Sequence, residues 1–208
     1  SKSFNELNFP KDKYLESGII KYNPSTKQIV VVAKMREDKE TLAANIYIGF
    51  VNPFTRKSEN FIEAGISESI FEKGRLLYGN KYKFLGAPES IQFNEDGSFW
   101  VLYHEIIPTY RQSINGVSYY TKSMDIVIAA YNKNGVLTDN YLIPKNHYIM
   151  GSFNIQSYTK DLNNQYKQIT WFKGNDKTYL ILNDTELNID QIKQNKSPLE
   201  VMAISTYD

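Results

Sequence analysis

Residues 89–144 read ESIQFNEDGSFWVLYHEIIPTYRQSINGVSYYTKSMDIVIAAYNKNGVLTDNYLIP. Two segments near the start of this stretch, Ser90–Phe93 and Ser98–Glu105, are rich in the β-branched and aromatic residues that strands favour. They flank the turn sequence Asn94–Gly97, in which Asn and Asp tolerate left-handed backbone and Gly adopts it without steric cost. This pattern predicts a β-hairpin.

A second pair of strand segments ends the same stretch. Asp125–Tyr131 and Val136–Ile143 flank Asn132–Gly135, a turn sequence of the same kind. The stretch therefore predicts four strands in a row, with a tight turn in each half and a longer insert between the halves.

The insert between the two halves, Ile106–Met124, contains Asn115–Gly116 between apolar neighbours. An Asn-Gly pair is the strongest short-range signal for a two-residue hairpin turn. A turn centred on this pair places Tyr103 opposite Ile128. Both faces of the hairpin are then apolar at the end far from the turn, as in a sheet that is covered on both sides. We expect one long bent hairpin with a polar and aromatic tip.

The same order of strand, turn, strand, insert, strand, turn and strand precedes the central stretch. Gly18–Tyr22 and Gln28–Lys34 form its first pair, and Asn45–Val51 and Lys57–Ile62 form its second. A third occurrence follows, but its fourth strand is missing; its segments are Gln168–Lys173, Thr178–Asn183 and Leu199–Thr206.

These repeats predict a single structural domain with five parts. Short helices are expected in two of the non-repeating regions, at Ser67–Lys73 and within Asp184–Lys196. The five parts are an N-terminal arm at 1–17, a first repeat at 18–63, a connector at 64–88, a second repeat at 89–144, and a connector with the incomplete third repeat at 145–208.

Asp125–Gly135 followed by Val136-Leu137 resembles a strand–turn–strand unit found in many β-propeller repeat proteins. The resemblance implies an all-β fold of antiparallel four-stranded, blade-like repeats, in a partial or unusual β-propeller. Three repeats do not close a ring of four to eight blades, so the chain is either part of a longer propeller or uses Ser1–Phe9 as an additional edge strand. The alternative fold is an ordinary antiparallel β-sandwich or barrel.

The composition excludes several classes of function. The net charge of +1 gives no electrostatic footprint for nucleic acid, and no apolar run is long enough to span a membrane. The absence of Cys excludes disulfides, Cys-ligated zinc and thiol nucleophiles. The chain begins without Met, which either a removed signal peptide or another trimming of the chain explains. The sequence therefore leaves the compartment open and only slightly favours a periplasmic or secreted location.

Candidate catalytic and metal-binding residues are scattered. His104 is followed by Glu105 and His147 lies after Pro144, but no HExxH pattern brings two His together. The turns at 94–97 and 132–135 are more typical of plain turns than of calcium loops, since Lys133 opposes a dication and no Glu follows at the EF-hand spacing. We therefore expect no metal, no cofactor and no catalytic residue. A pair of carboxylates for glycoside hydrolysis remains an alternative; its members would come from Glu63, Glu89, Glu105 and Asp125.

The long inserts provide the remaining functional signal. In all three repeats the insert joins the second and third strands, so we expect Met35–Ala43, Ile106–Met124 and Asp184–Pro198 to emerge at one edge, where rigid sheet scaffolds place recognition loops. Tyr and Arg are favoured at interfaces, and the central insert supplies the candidate ligand-binding residues Tyr110, Arg111, Tyr119 and Tyr120.

Together these observations predict a non-enzymatic binding module that recognises a protein or a glycan through the insert edge. The alternative is a carbohydrate-active hydrolase whose catalytic acids lie partly outside this chain.

Overall fold

The structure is a computed structural model of the 208-residue chain. It describes residues 7, 9–38, 44–55, 57–58, 61–113, 116–150, 169–173, 177–182 and 184–204, and within these ranges it describes the backbone alone at 110–113, 116–120, 149–150, 173, 182 and 202–204. The described chain is mostly β-structure, which confirms the all-β class.

The described residues form twelve strands and two helices. The strands are β1 (Tyr14–Asn23), β2 (Gln28–Arg36), β3 (Ala44–Val51), β4 (Ile62–Glu63), β5 (Ala87–Phe93), β6 (Phe99–Ser113), β7 (Gly116–Tyr131), β8 (Leu137–Ile143), β9 (His147–Met150), β10 (Ile169–Lys173), β11 (Thr178–Leu182) and β12 (Val201–Ile204). The helices are α1 (Glu68–Tyr78) and α2 (Glu186–Lys193). Neither helix has the length and apolarity that crossing a bilayer requires.

Three sheets contain these strands. Sheet A is the antiparallel meander β1-β2-β3-β4, and sheet C is the hairpin β10-β11. Sheet B contains the meander β5-β6-β7-β8. β9 pairs with the N-terminal half of β7, at Tyr120–Ser123, and β12 pairs with β9. None of the three sheets closes on itself within the part of the chain that the structure describes.

The first two predicted repeats correspond to sheet A and to the meander of sheet B. Both predicted turns of the central repeat are present, with Gly97 at φ +86° and Gly135 at φ +79°, where a side chain would be strained. The Gly97 N–H donates to Asn94 O and the Gly135 N–H donates to Asn132 O, which closes each turn. The turn chemistry therefore predicted these two hairpins from local sequence alone.

The predicted register of the central hairpin is wrong. Tyr103 pairs with Val127 rather than Ile128, and at the far end Ser113 pairs with Gly116. The difference begins at the tip, where Gly116 pairs with Ser113 instead of forming part of the turn, and a β-bulge after His104 then shifts the ladder by one residue. The expected apolar faces survive this shift, since residues on both faces of the base are apolar.

The third predicted repeat is not one sheet among the described residues. Its first two strands form sheet C, but its third strand, β12, runs parallel to β9 at the edge of sheet B. β12 follows α2, and the Asn188 side chain of α2 accepts from the Leu199 N–H and donates to the Leu199 carbonyl. These two bonds fix the chain just before β12.

The sheets stack in three layers with sheet B in the middle. Alternate residues of β6 face opposite sides: Val101 and Tyr103 pack in a core shared with sheet A, and Leu102 packs in a core shared with sheet C. Phe99 is fully buried in the first core, where its ring lies within 6.5 Å, centroid to centroid, of the rings of Phe50, Phe93 and Tyr131.

Candidate functional site

The first strands of sheets A, B and C, which are β1, β5 and β10, meet at a cleft of about 900 Å³. We call it the first-strand cleft. Residues of β1, β5 and β10 line it, together with residues of β2 and β6. Charged, hydrogen-bonding and aromatic side chains of the lining include Glu16, Lys21, Lys34, Glu89, Gln92, His104 and Trp171.

Two β-bulges place the acidic side chains of the cleft. The β1–β2 ladder shifts register between Leu15 and Ser17, and the β5–β6 ladder shifts between Pro88 and Ser90. Glu16 and Glu89 are the extra residues at these two shifts. A bulge redirects a side chain that regular pleating would send elsewhere, and bulges are common beside binding sites.

The carboxylate of Glu16 is neutralised by two cations. It accepts from Lys34 Nζ at 2.9 Å and from Arg36 Nε at 2.6 Å. Burial acts to raise the pKa of Glu16, but the hydrogen bonds from Arg36 and Lys34 outweigh it, and the pKa lies below its ordinary value. Glu16 therefore remains ionised and is held by partners from the same sheet.

The carboxylate of Glu89 has a different partner. Its Oε2 lies 3.2 Å from Nδ1 of His104, and Nε2 of the same imidazole lies 2.9 Å from Oγ of Ser123. The three residues stand on the adjacent strands β5, β6 and β7. His104 and Ser123 are buried, whereas the Glu89 side chain is 32% exposed.

Trp171 is fixed to the edge of β5 by two hydrogen bonds. Its indole Nε1–H donates to Ser90 Oγ at 2.6 Å, and its carbonyl accepts from Gln92 Nε2 at 3.0 Å. The ring packs against the core between sheets B and C and also lines the cleft. Trp171 therefore presents an aromatic surface whose position is set before any ligand arrives.

Glu105 and Asp125, two of the predicted hydrolase acids, lie behind the cleft and do not line it. Burial, together with the nearby Asp125 charge, raises the pKa of Glu105 to about 7. Asp125 accepts from the hydroxyls of Tyr78 and Tyr82, at 2.6 and 2.9 Å, and from the Lys145 N–H at 2.9 Å. Burial raises the pKa of Asp125 and these donors offset the increase only in part.

The Asp125 hydrogen bonds have a structural role. Tyr78 ends α1, Tyr82 follows it, and their rings stack with centroids 5.3 Å apart. Asp125 thus attaches α1 and the segment after it to β7. Of the four candidate acids, Glu89 is the one that lines the cleft, while Glu63 lies exposed on β4.

The two histidines stand on different strands and each contacts its own carboxylate. His147 Nε2 lies 3.1 Å from Asp184 Oδ1, an oxygen that also accepts from the Thr185 N–H and the Asn188 amide. Burial, with the nearby Lys145, lowers the pKa of His147. No group of three or more His, Cys, Asp or Glu side chains within the described ranges is arranged to hold a metal ion.

Lys145 is a buried cation without a hydrogen-bond partner for its Nζ among the described residues. Burial lowers its pKa from 10.5 to about 8, against the opposing charges of Asp184 and Glu89. Because the folded-state pKa lies below the unfolded one, the protonated lysine opposes folding, and stability rises as the pH increases from about 8 to 10.5.

Replacing Lys145 by Met, which keeps a long unbranched side chain, is expected to raise the free energy of unfolding at neutral pH by about 3 kcal/mol, at about 1.36 kcal/mol for each pKa unit between 10.5 and about 8. It should also flatten the alkaline rise in stability. Urea denaturation between pH 7 and pH 10 measures both effects, with exposed Lys177→Met as the control. A variant that is less stable than wild type at neutral pH would contradict this account of Lys145.

The four candidate residues at the insert tip have described backbones only. Tyr110 pairs with Tyr119 and Thr109 pairs with Tyr120 in the distal β6–β7 ladder, so Tyr110, Tyr119, Tyr120 and Arg111 lie on two adjacent strands. Their side chains lie outside the described part of the chain. Asp184 of the third insert contacts His147 of β9, and β9 pairs with Tyr120–Ser123 of the second insert.

The sequence did not predict the cleft, because the predicted site was the edge that carries the inserts and the cleft lies at the first strands. One signal was available: a Glu-Ser pair occurs in β1 and again in β5, at Glu16-Ser17 and Glu89-Ser90. Only the structure shows that both glutamates occupy bulges facing one cavity.

Comparison of the chain with protein-family models, with curated proteins and with solved structures found no match.

Proposed function

We propose that this protein is a non-enzymatic binding module that recognises a neutral glycan in the first-strand cleft. The observation that carries the proposal is the cleft itself: about 900 Å³ in volume, with a fixed Trp ring and charged groups at its wall. In this proposal sheets A, B and C are consecutive blade-like units of a partial β-propeller, and their first strands face the ligand.

The charge balance of the cleft favours a neutral ligand. Its lining contains two carboxylates, Glu16 and Glu89, and two ammonium groups, Lys21 and Lys34. Lys34 bonds to Glu16, and Lys21 Nζ donates to the Ile91 carbonyl at 2.7 Å. With the charges equal in number, no excess of one sign attracts a phosphate or a polycation.

The edge of β5 is poorly suited to an extended peptide, the other partner that the sequence predicts. Peptides that bind sheet edges pair with unoccupied backbone groups along a regular strand. Pro88, the second residue of β5, lies beside the bulge, and the Ile91 carbonyl already accepts from Lys21. Proline, bulges and lysines are devices that prevent strand addition.

The carbohydrate-hydrolase alternative receives less support from the geometry. Two of its candidate acids, Glu105 and Asp125, are buried away from the cleft, and Asp125 is occupied by three hydrogen-bond donors. Glu16, the second carboxylate in the cleft, is held by Lys34 and Arg36. A binding role uses the cleft as it stands and requires no free acid pair.

Tryptophan fluorescence and calorimetry test the proposal, with maltohexaose, cellohexaose and chitohexaose as probes. The chain has two Trp, and Trp100 stacks on Tyr141 away from the cleft lining. We expect at least one probe to change the emission saturably, and Trp171→Phe to weaken its binding at least tenfold, about 1.4 kcal/mol. Trp100→Phe is the matched control and should bind as wild type does.

Two results would overturn the glycan proposal. One is the absence of binding by wild type to all three oligosaccharides at millimolar concentration. The other is equal affinity of wild type and Trp171→Phe, provided that Trp171→Phe has the circular dichroism spectrum of wild type.

A further inference from the structure

We propose that Glu89 is the hydrogen-bond acceptor for ligand hydroxyls in the first-strand cleft, and that His104 and Ser123 are positioning residues that fix its carboxylate. This inference rests on the proposed glycan-binding function and names the group that recognises the sugar. It is carried by the hydrogen-bonded chain that runs from the cleft to the interior of sheet B.

The direction of the hydrogen bonds follows from the chemistry of the three groups. An ionised carboxylate can only accept, so the proton between Glu89 and His104 is on Nδ1. In the neutral imidazole Nε2 is then an acceptor, and the Ser123 hydroxyl donates to it. The hydrogen bonds therefore all point one way, from Ser123 through His104 to Glu89.

This polarity is that of a serine hydrolase triad, but the serine is in the wrong place for catalysis. Ser123 is 0% exposed, and its backbone lies within sheet B between Ile106 of β6 and His147 of β9. A nucleophile must reach the substrate, and Ser123 does not line the cleft. The end of the chain that meets the cavity is the carboxylate.

The free oxygen of Glu89 is suited to a sugar. His104 engages Oε2, and Oε1 has no hydrogen-bond partner among the residues that the structure describes. Glu16, by comparison, uses both of its carboxylate oxygens on Lys34 and Arg36. A charged acceptor forms stronger hydrogen bonds with hydroxyl groups than a neutral one does, and an acceptor held in place loses less entropy on binding.

The burial of the Ser123–His104–Glu89 hydrogen bonds explains why the Glu89 carboxylate stays in place. The His104 side chain is 3% exposed, so water has little access to the imidazole. Removing a partner inside such a chain leaves a buried polar group unsatisfied. Each member therefore restrains the next, and the bulge at Glu89 directs the last member into the cleft.

The first experiment measures the tautomer of His104 by ¹⁵N NMR at about pH 8, where an ordinary imidazole is neutral. The chain has only two His, which simplifies the assignment, and His147→Gln identifies the second signal. We expect the Nδ1–H tautomer in wild type and in Ser123→Ala, and a change toward Nε2–H in Glu89→Ala. This result needs no ligand.

The second experiment measures affinity for the oligosaccharide that wild type binds. Glu89→Gln should weaken binding about ten- to hundredfold, and His104→Leu, which leaves the carboxylate unanchored, about tenfold. His104→Asn keeps a donor near the Nδ1 position, so it should recover most of the affinity that His104→Leu loses. Thermal melting separates loss of binding from loss of folding.

The outcomes distinguish the two proposals. An Nε2–H tautomer in wild type overturns the positioning chain while the glycan proposal stands. The expected tautomer with unchanged affinity in Glu89→Gln and His104→Leu overturns the recognition role of Glu89. If wild type binds none of the oligosaccharides, the recognition role falls together with the proposed function.

Discussion

Replacing Phe99 by Ala is expected to lower the free energy of unfolding by about 3–5 kcal/mol, the usual cost of deleting a buried aromatic side chain. Phe99 is 0% exposed and sits where sheets A and B meet, with its ring 5.5 Å from that of Tyr131 and 6.5 Å from that of Phe50. The deletion removes contacts on both sides of the interface and leaves a cavity that neither sheet can fill without moving.

Urea denaturation followed by circular dichroism measures the loss. The matched control is Phe172→Ala on the outer face of sheet C, where the side chain is 48% exposed and stacks on Tyr179. That change should cost about 1 kcal/mol, since about half of the residue stays in contact with water in the folded protein. Similar losses for Phe99→Ala and Phe172→Ala would show that sheets A and B do not share a core at Phe99.

Replacing Asp125 by Ala is expected to lower the free energy of unfolding by about 2–4 kcal/mol. The hydroxyls of Tyr78 and Tyr82 and the N–H of Lys145 would each lose their acceptor. A buried donor left unsatisfied costs about 1–3 kcal/mol, and the release of a buried charge offsets part of this total. Asp125→Asn keeps an acceptor and should lose less.

Asp139→Ala is the control for Asp125→Ala, because Asp139 also accepts from a tyrosine hydroxyl, that of Tyr141, but on an exposed surface. Its cost should stay below about 1 kcal/mol. Hydrogen exchange should also show that Asp125→Ala lowers the protection of the backbone amides of α1 more than that of the amides of β2. Uniform protection across α1 and β2 would contradict the attachment of α1 through Asp125.

Local turn chemistry made the fold partly predictable. Asn94–Gly97 and Asn132–Gly135 specify hairpins with their own side chains and backbone, so the two predicted turns appear where the sequence placed them. Both predicted helical regions also contain helices, with α2 capped by the Thr185 side chain. These features depend on residues close together in the chain, which is why a single sequence reveals them.

The partners of the last strand were not predictable on the same basis. β12 has the apolar composition of any buried strand, and nothing in its residues states whether it joins β11 or β9. The choice depends on Asn188 and on the position of α2, which are set by contacts made elsewhere. The bulge after His104 is a similar case, because a one-residue shift leaves both faces of β6 apolar.

The candidate site was predictable in its residue types and not in its arrangement. Glu89 and His104 were considered from the sequence, and Glu16 and Trp171 were not. Glu89 and His104 are fifteen positions apart and become neighbours through the β5–β6 pairing and its bulge. The tip residues Tyr110, Arg111, Tyr119 and Tyr120 remain a prediction for a second contact surface.

The parallel pairing of β12 with β9 has a consequence for synthesis on the ribosome. Sheet A and the meander of sheet B each consist of contiguous chain, so each can form soon after it emerges. The outer edge of β9 instead waits for a strand about 54 residues downstream. At about 5–20 residues per second this edge waits roughly 3–10 s of translation for β12, and during that time it is open to pairing with a neighbouring nascent chain.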